Sequence, residues 1–362
     1  MVSKEMLWLM VAGALAALGK NSSKMVPIPS DPLEMVTGQI QVVDSPTDRA
    51  RVLELLARAS QSYALRNSGQ GYDLKVSFTV NSGGVTEYDG TWEMEDISDP
   101  AQGLRWTAKA SAGYTTTQIS TNGMFYGEGT SSTIPLRLHE ARAALFGSIP
   151  SVGSLDRASI RTATATFRGA AVTCVLLSGS GSAANATTGR SWEETEECID
   201  PQSGLLQMQS QVPGRYYAYD YSNAPKLDAY VLPRKVTVTE AGKTVSEITV
   251  DSLKELPAAD PSLFQPTVEM EEGGEPVAMA GAQKLSRDSG RIPPNATTRP
   301  VCVFGLVTAS GQLVDAHSLQ PSDPNSQAAV EATKQMNFSR PARAGARPQQ
   351  HFVFVIEKFV AQ

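Results

Sequence analysis

The chain contains three cysteines, Cys174, Cys198 and Cys302, and their thiols are the side chains best suited to redox chemistry. Cys174 and Cys198 lie at equal sequence distances from the polar segment Asn185–Thr187, which stands between two strand-like runs. A hairpin folded at that segment places the two cysteines opposite each other, which predicts a cross-strand disulfide in an oxidising compartment. Cys302 has no evident mate, so a buried free thiol is expected there.

The three histidines, His139, His317 and His351, are far apart in sequence and show no metal-ligand spacing. Packing or surface roles are therefore the favoured interpretation. The chain also lacks the GxSxG, HExxH, P-loop and GxGxxG patterns. We therefore expect a protein that is not an enzyme and that needs no metal ion and no cofactor.

A run of carboxylates, Glu193, Glu194, Glu196 and Glu197, offers hard oxygen ligands that suit a cation. Strand alternation divides the run between two sheet faces, so a solvated edge strand is favoured over a cation site. Glu194 and Glu196 alternate in step with Cys198 and so point to the same face of the strand. This indicates either a bulge in the strand or a solvated face of the sheet.

Five aromatic residues are candidates for a ligand-binding wall, because tyrosine and tryptophan combine apolar rings with polar tips. They are Trp92, Trp106, Tyr217, Tyr219 and Tyr221. The alternative is that they pack as ordinary core residues on their strands. The formal net charge of −6 shows no basic excess, so nucleic acid is not an expected partner.

Alternating polar and apolar residues dominate the middle of the chain and predict antiparallel strands. The segment Tyr72 to Val80 is a clear example, and Asn122-Gly123 predicts a tight turn. Helices are predicted after Ser45, which is followed by Pro46 and a single apolar face, and over Pro135–Ile149. A few helices against one antiparallel sheet predict an α+β fold.

The apolar run over residues 6–18 follows Lys4 and is too short to span a bilayer, so residues 1–24 are predicted to be a signal peptide or, alternatively, a membrane anchor. An exported, periplasmic location follows from this. Residues 25–267 are predicted to form the β domain and residues 268–298 a linker rich in Glu, Gly and Ser. Residues 299–362 are predicted to form a separate small β-β-α-β module.

The C-terminal module resembles the C-terminal domain of TonB-type energy transducers. The shared pattern is a strand, a Gly turn, a strand, an Ala-rich helix, an aromatic-Pro element and a last aromatic strand, carried here by Val303, Val307, Gly311, Leu313, Val314, Ala328, Ala329, Ala332, Met336, Asn337, Phe338, Pro341, Ala342, Gly345, Phe352 and Phe354. The resemblance implies docking to an envelope protein partner. We expect the last strand, through Phe352, Phe354 and Ile356, to offer its edge for pairing.

The larger block resembles the LolA/LolB-like lipoprotein-carrier fold. The shared features are a helix ending near Tyr63, a strand meander with helical cover, the turn Asp200–Leu205 and the closing segment Pro261–Phe264. The resemblance implies a large curved antiparallel sheet, a half-barrel, whose lidded face holds a lipid or a lipoprotein acyl chain. If the half-barrel holds the ligand and the C-terminal module binds only the partner, deleting residues 299–362 should leave ligand retention intact. The alternative is a periplasmic protein-interaction scaffold that holds no small-molecule ligand.

Overall fold

The computed structural model describes residues 40–82, 88–131, 134–147, 149–150, 152–179, 190, 192, 194–273, 280–293, 296, 298–308, 310–338 and 351–360. The predicted signal peptide or anchor and the turn predicted at Asn185–Thr187 lie outside these residues. In the described part of the chain, no helix is both long enough and apolar enough to cross a membrane.

Twenty strands carry most of the described fold. In chain order they are β1 Gln41–Val42, β2 Tyr72–Val80, β3 Gly90–Asp99, β4 Gly103–Ala110, β5 Thr115–Thr121, β6 Met124–Gly129, β7 Ser159–Phe167, β8 Ala170–Ser178, β9 Thr195–Ile199, β10 Leu206–Val212, β11 Arg215–Asp220, β12 Lys226–Leu227, β13 Tyr230–Val231, β14 Lys235–Glu240, β15 Lys243–Glu255, β16 Glu271–Gly273, β17 Ala280–Asp288, β18 Thr298–Val307, β19 Leu313–Ser318 and β20 His351–Val360.

Fourteen of these strands form one large curved sheet in the order β1-β7-β8-β9-β10-β11-β14-β15-β2-β3-β4-β5-β6-β16. Its neighbours pair antiparallel throughout the described residues. The predicted α+β class with a large antiparallel sheet and helical cover is confirmed. The Asn122-Gly123 turn between β5 and β6 has positive φ at both residues, which is why Asn and Gly suit it.

Two helices cover one face of the large sheet: α1, Pro46–Ser62, and α2, Leu136–Phe146. Helix α1 begins where the sequence predicts, because the Ser45 Oγ accepts a hydrogen bond from the Asp48 backbone N–H at 3.0 Å. Its buried face, Val52, Leu56 and Ala59, packs into the main core with the inward residues of β2, β3 and β4. We call this side of the sheet the helix-covered face.

The C-terminal module is a four-stranded sheet in the order β17-β20-β18-β19, with helix α3, Ser326–Lys334, on one face. Its other face carries three phenylalanines, Phe304, Phe352 and Phe354, which pack against Leu136 and other residues of the large domain. The module is therefore docked on the large sheet through an apolar interface.

The described residues of the predicted linker, 268–298, include two paired strands. Its β16 pairs with β6 at one edge of the large sheet, and its β17 pairs parallel with β20 in the C-terminal sheet. The module thus has the order β-β-β-α-β. The polar composition of β17 hides it from a periodicity argument, because its pairing depends on β20, which is distant in sequence.

Candidate functional site

The two predicted tryptophans are packed inside the core. Trp92 is 1% exposed and stacks on Phe78, with ring centroids 5.2 Å apart, and it also contacts the Tyr114 ring. Trp106 is 2% exposed, and the Arg142 guanidinium lies over it, 3.8 Å from the centroid of the Trp106 ring. Both indoles therefore have protein partners on the helix-covered face.

The predicted tyrosines also lie on the helix-covered face, where hydrogen bonds hold their polar tips. The Tyr219 ring meets that of Tyr63, the residue after α1, edge to face, with centroids 6.2 Å apart. The Tyr221 hydroxyl donates to the Leu206 carbonyl oxygen at 2.9 Å and also contacts the Tyr63 hydroxyl. The structure gathers these tyrosines on β11 and just after it, where Tyr219 and Tyr221 pack against Tyr63 at the end of α1.

Tyr217 belongs to a buried ion-pair network that the sequence did not predict. The network joins Arg137 and Glu140 of α2 to Arg215 of β11 and Glu240 of β14. The Arg215 Nε donates to Glu240 and the Arg137 Nη1 to Glu240 and Glu140, each at 2.9 Å, while Arg215 also contacts Glu140. The Tyr217 hydroxyl accepts from Arg215 at 2.6 Å and donates to Glu140.

The rings of the C-terminal module cover this network. The Arg215 guanidinium lies 5.0 Å from the Phe304 ring centroid and 4.9 Å from that of Phe352. Burial by itself raises the pKa of Glu240, but the charges of Arg137 and Arg215 outweigh it and hold that pKa well below its ordinary value. The charges therefore compensate each other, which is the arrangement expected of a structural network.

His317 of β19 connects the C-terminal module to the same network. Its Nε2 lies 3.3 Å from Glu240 and its Nδ1 3.3 Å from Asp315. Burial lowers the pKa of His317, but the hydrogen bonds to Asp315 and Glu240 exceed that effect and raise it to about 9. At neutral pH the imidazolium therefore adds a charge-assisted contact between module and sheet.

The predicted solvated edge strand of glutamates is wrong for the described members of the run. Strand β9 lies between β8 and β10, and Glu194, Glu196 and Glu197 are all buried. Glu194 receives two hydrogen bonds from Arg161, at 2.7 and 2.6 Å. Glu196 pairs with Arg190 at 3.0 Å. Because each carboxylate is paired with a buried arginine, Glu194 and Glu196 can lie on the same buried face of the sheet as Cys198. Arg161 is distant from Glu194 in sequence.

Cys174 and Cys198 are direct partners on β8 and β9 and form a disulfide. Glu196 lies beside them, and these three are the one described group close enough together to hold a metal ion. Since both sulfurs are in the disulfide, neither is available as a thiolate ligand. Cys302 is a buried free thiol, and burial raises its pKa to about 12.

The last strand is not an edge, so the predicted mode of partner binding is wrong. Strand β20 lies between β17 and β18, and both sides of its backbone are paired. Phe352, Phe354 and Ile356 are at most 1% exposed, in the interface with the large domain. The strand that sequence analysis missed, β17, occupies the edge position that β20 was expected to offer.

A cavity of about 610 Å³ lies where the large sheet, the segment after α2 and the C-terminal module meet. We call it the seam cavity. Its apolar lining comes from Pro150, Leu155, Ala158, Leu177 and Ala282. Its other lining residues are Gly147, Arg157, Ser178, Gly179, Thr195, Glu197, Gln209, Gln211 and Lys284.

Glu197 is the unusual group in the seam cavity. It is fully buried; its Oε1 accepts from the Gln209 Nε2 at 3.0 Å, whereas its Oε2 has no hydrogen-bond partner among the described residues. Burial, aided by the neighbouring charge of Glu196, raises its pKa to about 8 against the opposing effects of Gln209, Arg190 and Lys284. Lys284 reaches the cavity from β17, and its Nζ donates to the Thr195 Oγ1 at 3.0 Å.

Only some of the residues that line this cavity could be placed from the sequence. Glu197 has the parity opposite to Cys198, which places it on the helix-covered face. Lys284 lay in the predicted linker, where no pattern marks it. The predicted aromatic residues are not among the lining residues.

No protein-family model matches the chain, and no curated protein sequence matches it. Solved structures do resemble it. One is an outer membrane lipoprotein-sorting protein domain from Vibrio parahaemolyticus, with 9% identity, a TM-score of 0.35 and coverage of 60% of this chain and 97% of that one. Another is a DUF1329 family protein from Desulfovibrio piger, with 9% identity, a TM-score of 0.36 and coverage of 60% and 96%.

LprF from Mycobacterium bovis is also similar, with 12% identity, a TM-score of 0.22 and coverage of 56% of this chain and 92% of that one. At TM-scores this low, we draw no conclusion about ligand or partner from any of the three.

Proposed function

We propose that this chain is a non-enzymatic binding protein of the bacterial cell envelope that holds an apolar ligand, a lipid or a lipoprotein acyl chain, in the seam cavity. The observation that carries the proposal is the cavity itself. Its volume of about 610 Å³ falls within the usual range for small-molecule sites, and Leu155 and Leu177 give it apolar walls. Each methylene that it takes from water contributes about 0.8 kcal/mol.

Two features support an exported location and a non-enzymatic role. The disulfide between Cys174 and Cys198 suits an oxidising compartment, as an exported protein requires. The buried carboxylates Glu140 and Glu240 are engaged by arginines under phenylalanine rings, an arrangement that holds the fold rather than one that attacks a substrate. The proposal therefore includes no catalytic residue and no cofactor.

A second candidate function, a protein-interaction scaffold without a small-molecule ligand, is favoured by the packed state of Trp92, Trp106 and the tyrosines. In that function, the TonB-like resemblance of the C-terminal module would correspond to docking of an envelope protein. Because β20 is interior, the edge strand β19, with Val314 45% exposed, is where such a partner would pair.

Filling the cavity distinguishes these two functions. We expect Ala158→Trp to reduce the affinity for a fluorescent fatty acid at least about tenfold, because the indole occupies space that the ligand needs. The measurement is a fluorescence titration of the full chain, with thermal unfolding as a check of folding. Ala101→Trp, on an exposed turn between β3 and β4, is the matched control and should bind as the unmodified chain does. Equal binding by both variants would contradict the seam cavity as the ligand site.

A further inference from the structure

The polar side of the seam cavity is built around a buried hydrogen-bond donor. Glu197 is fully buried, and its Oε1 already accepts from the Gln209 side chain. When the carboxyl is protonated, the proton therefore belongs on Oε2, which faces no protein acceptor among the described residues. A buried polar group without a partner is costly, so this position calls for an acceptor atom from outside the chain.

The charges around the cavity decide which acceptor fits. Lys284 and Arg157 are both lining residues, so two cations accompany a carboxyl that burial keeps neutral over much of the physiological pH range. A cationic head group would be repelled by the Lys284 ammonium and would offer no acceptor for the proton on Glu197. An anionic head group would instead accept from Glu197 and lie beside an ammonium.

We propose that Glu197 and Lys284 form a head-group site for an anionic amphiphile, of the fatty-acid carboxylate class, whose chain lies along Leu177 and Leu155. Glu197 donates a hydrogen bond to one carboxylate oxygen, and Lys284 supplies the opposite charge, with exposed Arg157 adding to it. The inference rests on the proposed function, since it assigns the head-group end of the same cavity.

Several charged and titratable groups act on Glu197, and they set the direction of the pH dependence. Glu196 acts from β9, Arg190 from the residues before it and Lys284 from β17. Tyr63, the residue after α1, interacts with the carboxyl as well. The carboxyl loses its proton as the pH rises through about 8. Above that pH the site carries a buried negative charge, which repels an anionic head group, so affinity must fall as the pH rises.

The test is a calorimetric titration of the full chain with three probes of equal chain length, each below its micelle concentration. The probes are dodecanoate, the neutral monododecanoyl glycerol and the cation dodecyltrimethylammonium. At about pH 7 we expect dodecanoate to bind at least about tenfold tighter than the cation. Between about pH 7 and about pH 9 we expect its affinity to fall about tenfold, while that of the neutral probe changes little.

Two variants assign these effects to residues. Glu197→Gln keeps a neutral donor, so dodecanoate binding at about pH 7 should stay within about threefold and the fall at high pH should disappear. Lys284→Gln should remove most of the preference for dodecanoate over the cation. Lys75→Gln, at an exposed lysine on β2, is the matched control and should change neither property.

The outcomes separate this inference from the proposed function. If all three probes bind alike and independently of pH, the head-group site is overturned while amphiphile binding stands. A preference for the cation, or a pH dependence that persists in Glu197→Gln, also overturns it. If no probe binds at any pH, the proposed function fails together with the head-group site.

Discussion

Replacing Arg215 by methionine is expected to lower the free energy of unfolding by about 3–5 kcal/mol. The side chain is fully buried and pairs with both Glu140 and Glu240. Its loss leaves the two carboxylates with Arg137 and, at Glu240, the His317 ring. Urea unfolding followed by tryptophan fluorescence measures the change. Lys75→Met, which breaks an exposed ion pair with Glu95, is the control and should cost less than about 1 kcal/mol.

The pH dependence of that loss has a definite sign. The arginines hold the pKa of Glu240 below its ordinary value, so they add stability above the ordinary carboxyl range that is lost as the pH falls through the lowered pKa. The difference between Arg215→Met and the unmodified chain should therefore narrow in acid. A double-mutant cycle with Glu240→Gln should be strongly non-additive. Additive losses, or a gap that widens in acid, would contradict the network.

Removing the disulfide with the double variant Cys174→Ala and Cys198→Ala is expected to cost about 3 kcal/mol of unfolding free energy. The two cysteines are 24 residues apart in sequence, and closing a loop of that size restricts the unfolded chain by about this amount. Thermal unfolding with and without reductant measures the loss.

Reductant supplies the control for the disulfide. It should lower the melting temperature of the unmodified chain to near that of the double variant and leave the double variant unchanged. Cys302→Ala should keep the full response to reductant, because the Cys302 thiol is not part of the bridge. A reductant response in the double variant, or none in the unmodified chain, would show that the pair does not stabilise the fold.

Local signals in the sequence were sufficient for much of the architecture. Ser45 and Pro46 predicted the start of α1, and the alternation from Tyr72 to Val80 predicted β2 with its buried parity. These elements follow from capping, backbone preference and amphipathic period, which act over a few residues. The cysteine pairing also needed only the symmetry of a hairpin.

The errors arose where pairing is long-range. Strand β17 has no clear apolar alternation and exists because β20 pairs with it, about seventy residues later in the chain. Glu194 looked solvated because its partner, Arg161, lies on β7. Periodicity shows which residues share a face, but it does not show which charged side chain arrives from another strand.

The same long-range contacts change what is expected of the C-terminal module. Its strand β17 contributes Ala282 and Lys284 to the seam cavity, and β20 is the sheet neighbour of β17. Deleting residues 299–362 removes β20 together with the Phe304 and Phe352 rings, and so uncovers the buried Arg215. We therefore expect that deletion to impair ligand retention. The sequence alone predicted that retention would stay intact.

Native mass spectrometry of the protein, purified from a bacterial periplasm without detergent, measures whether the chain carries a bound apolar ligand. We expect an extra mass that is released on denaturation and identified as a lipid or fatty acid, with less of it on the Ala158→Trp variant. A clean mass of the protein alone, with no uptake of added dodecanoate or lipopeptide, would contradict ligand binding and favour the scaffold.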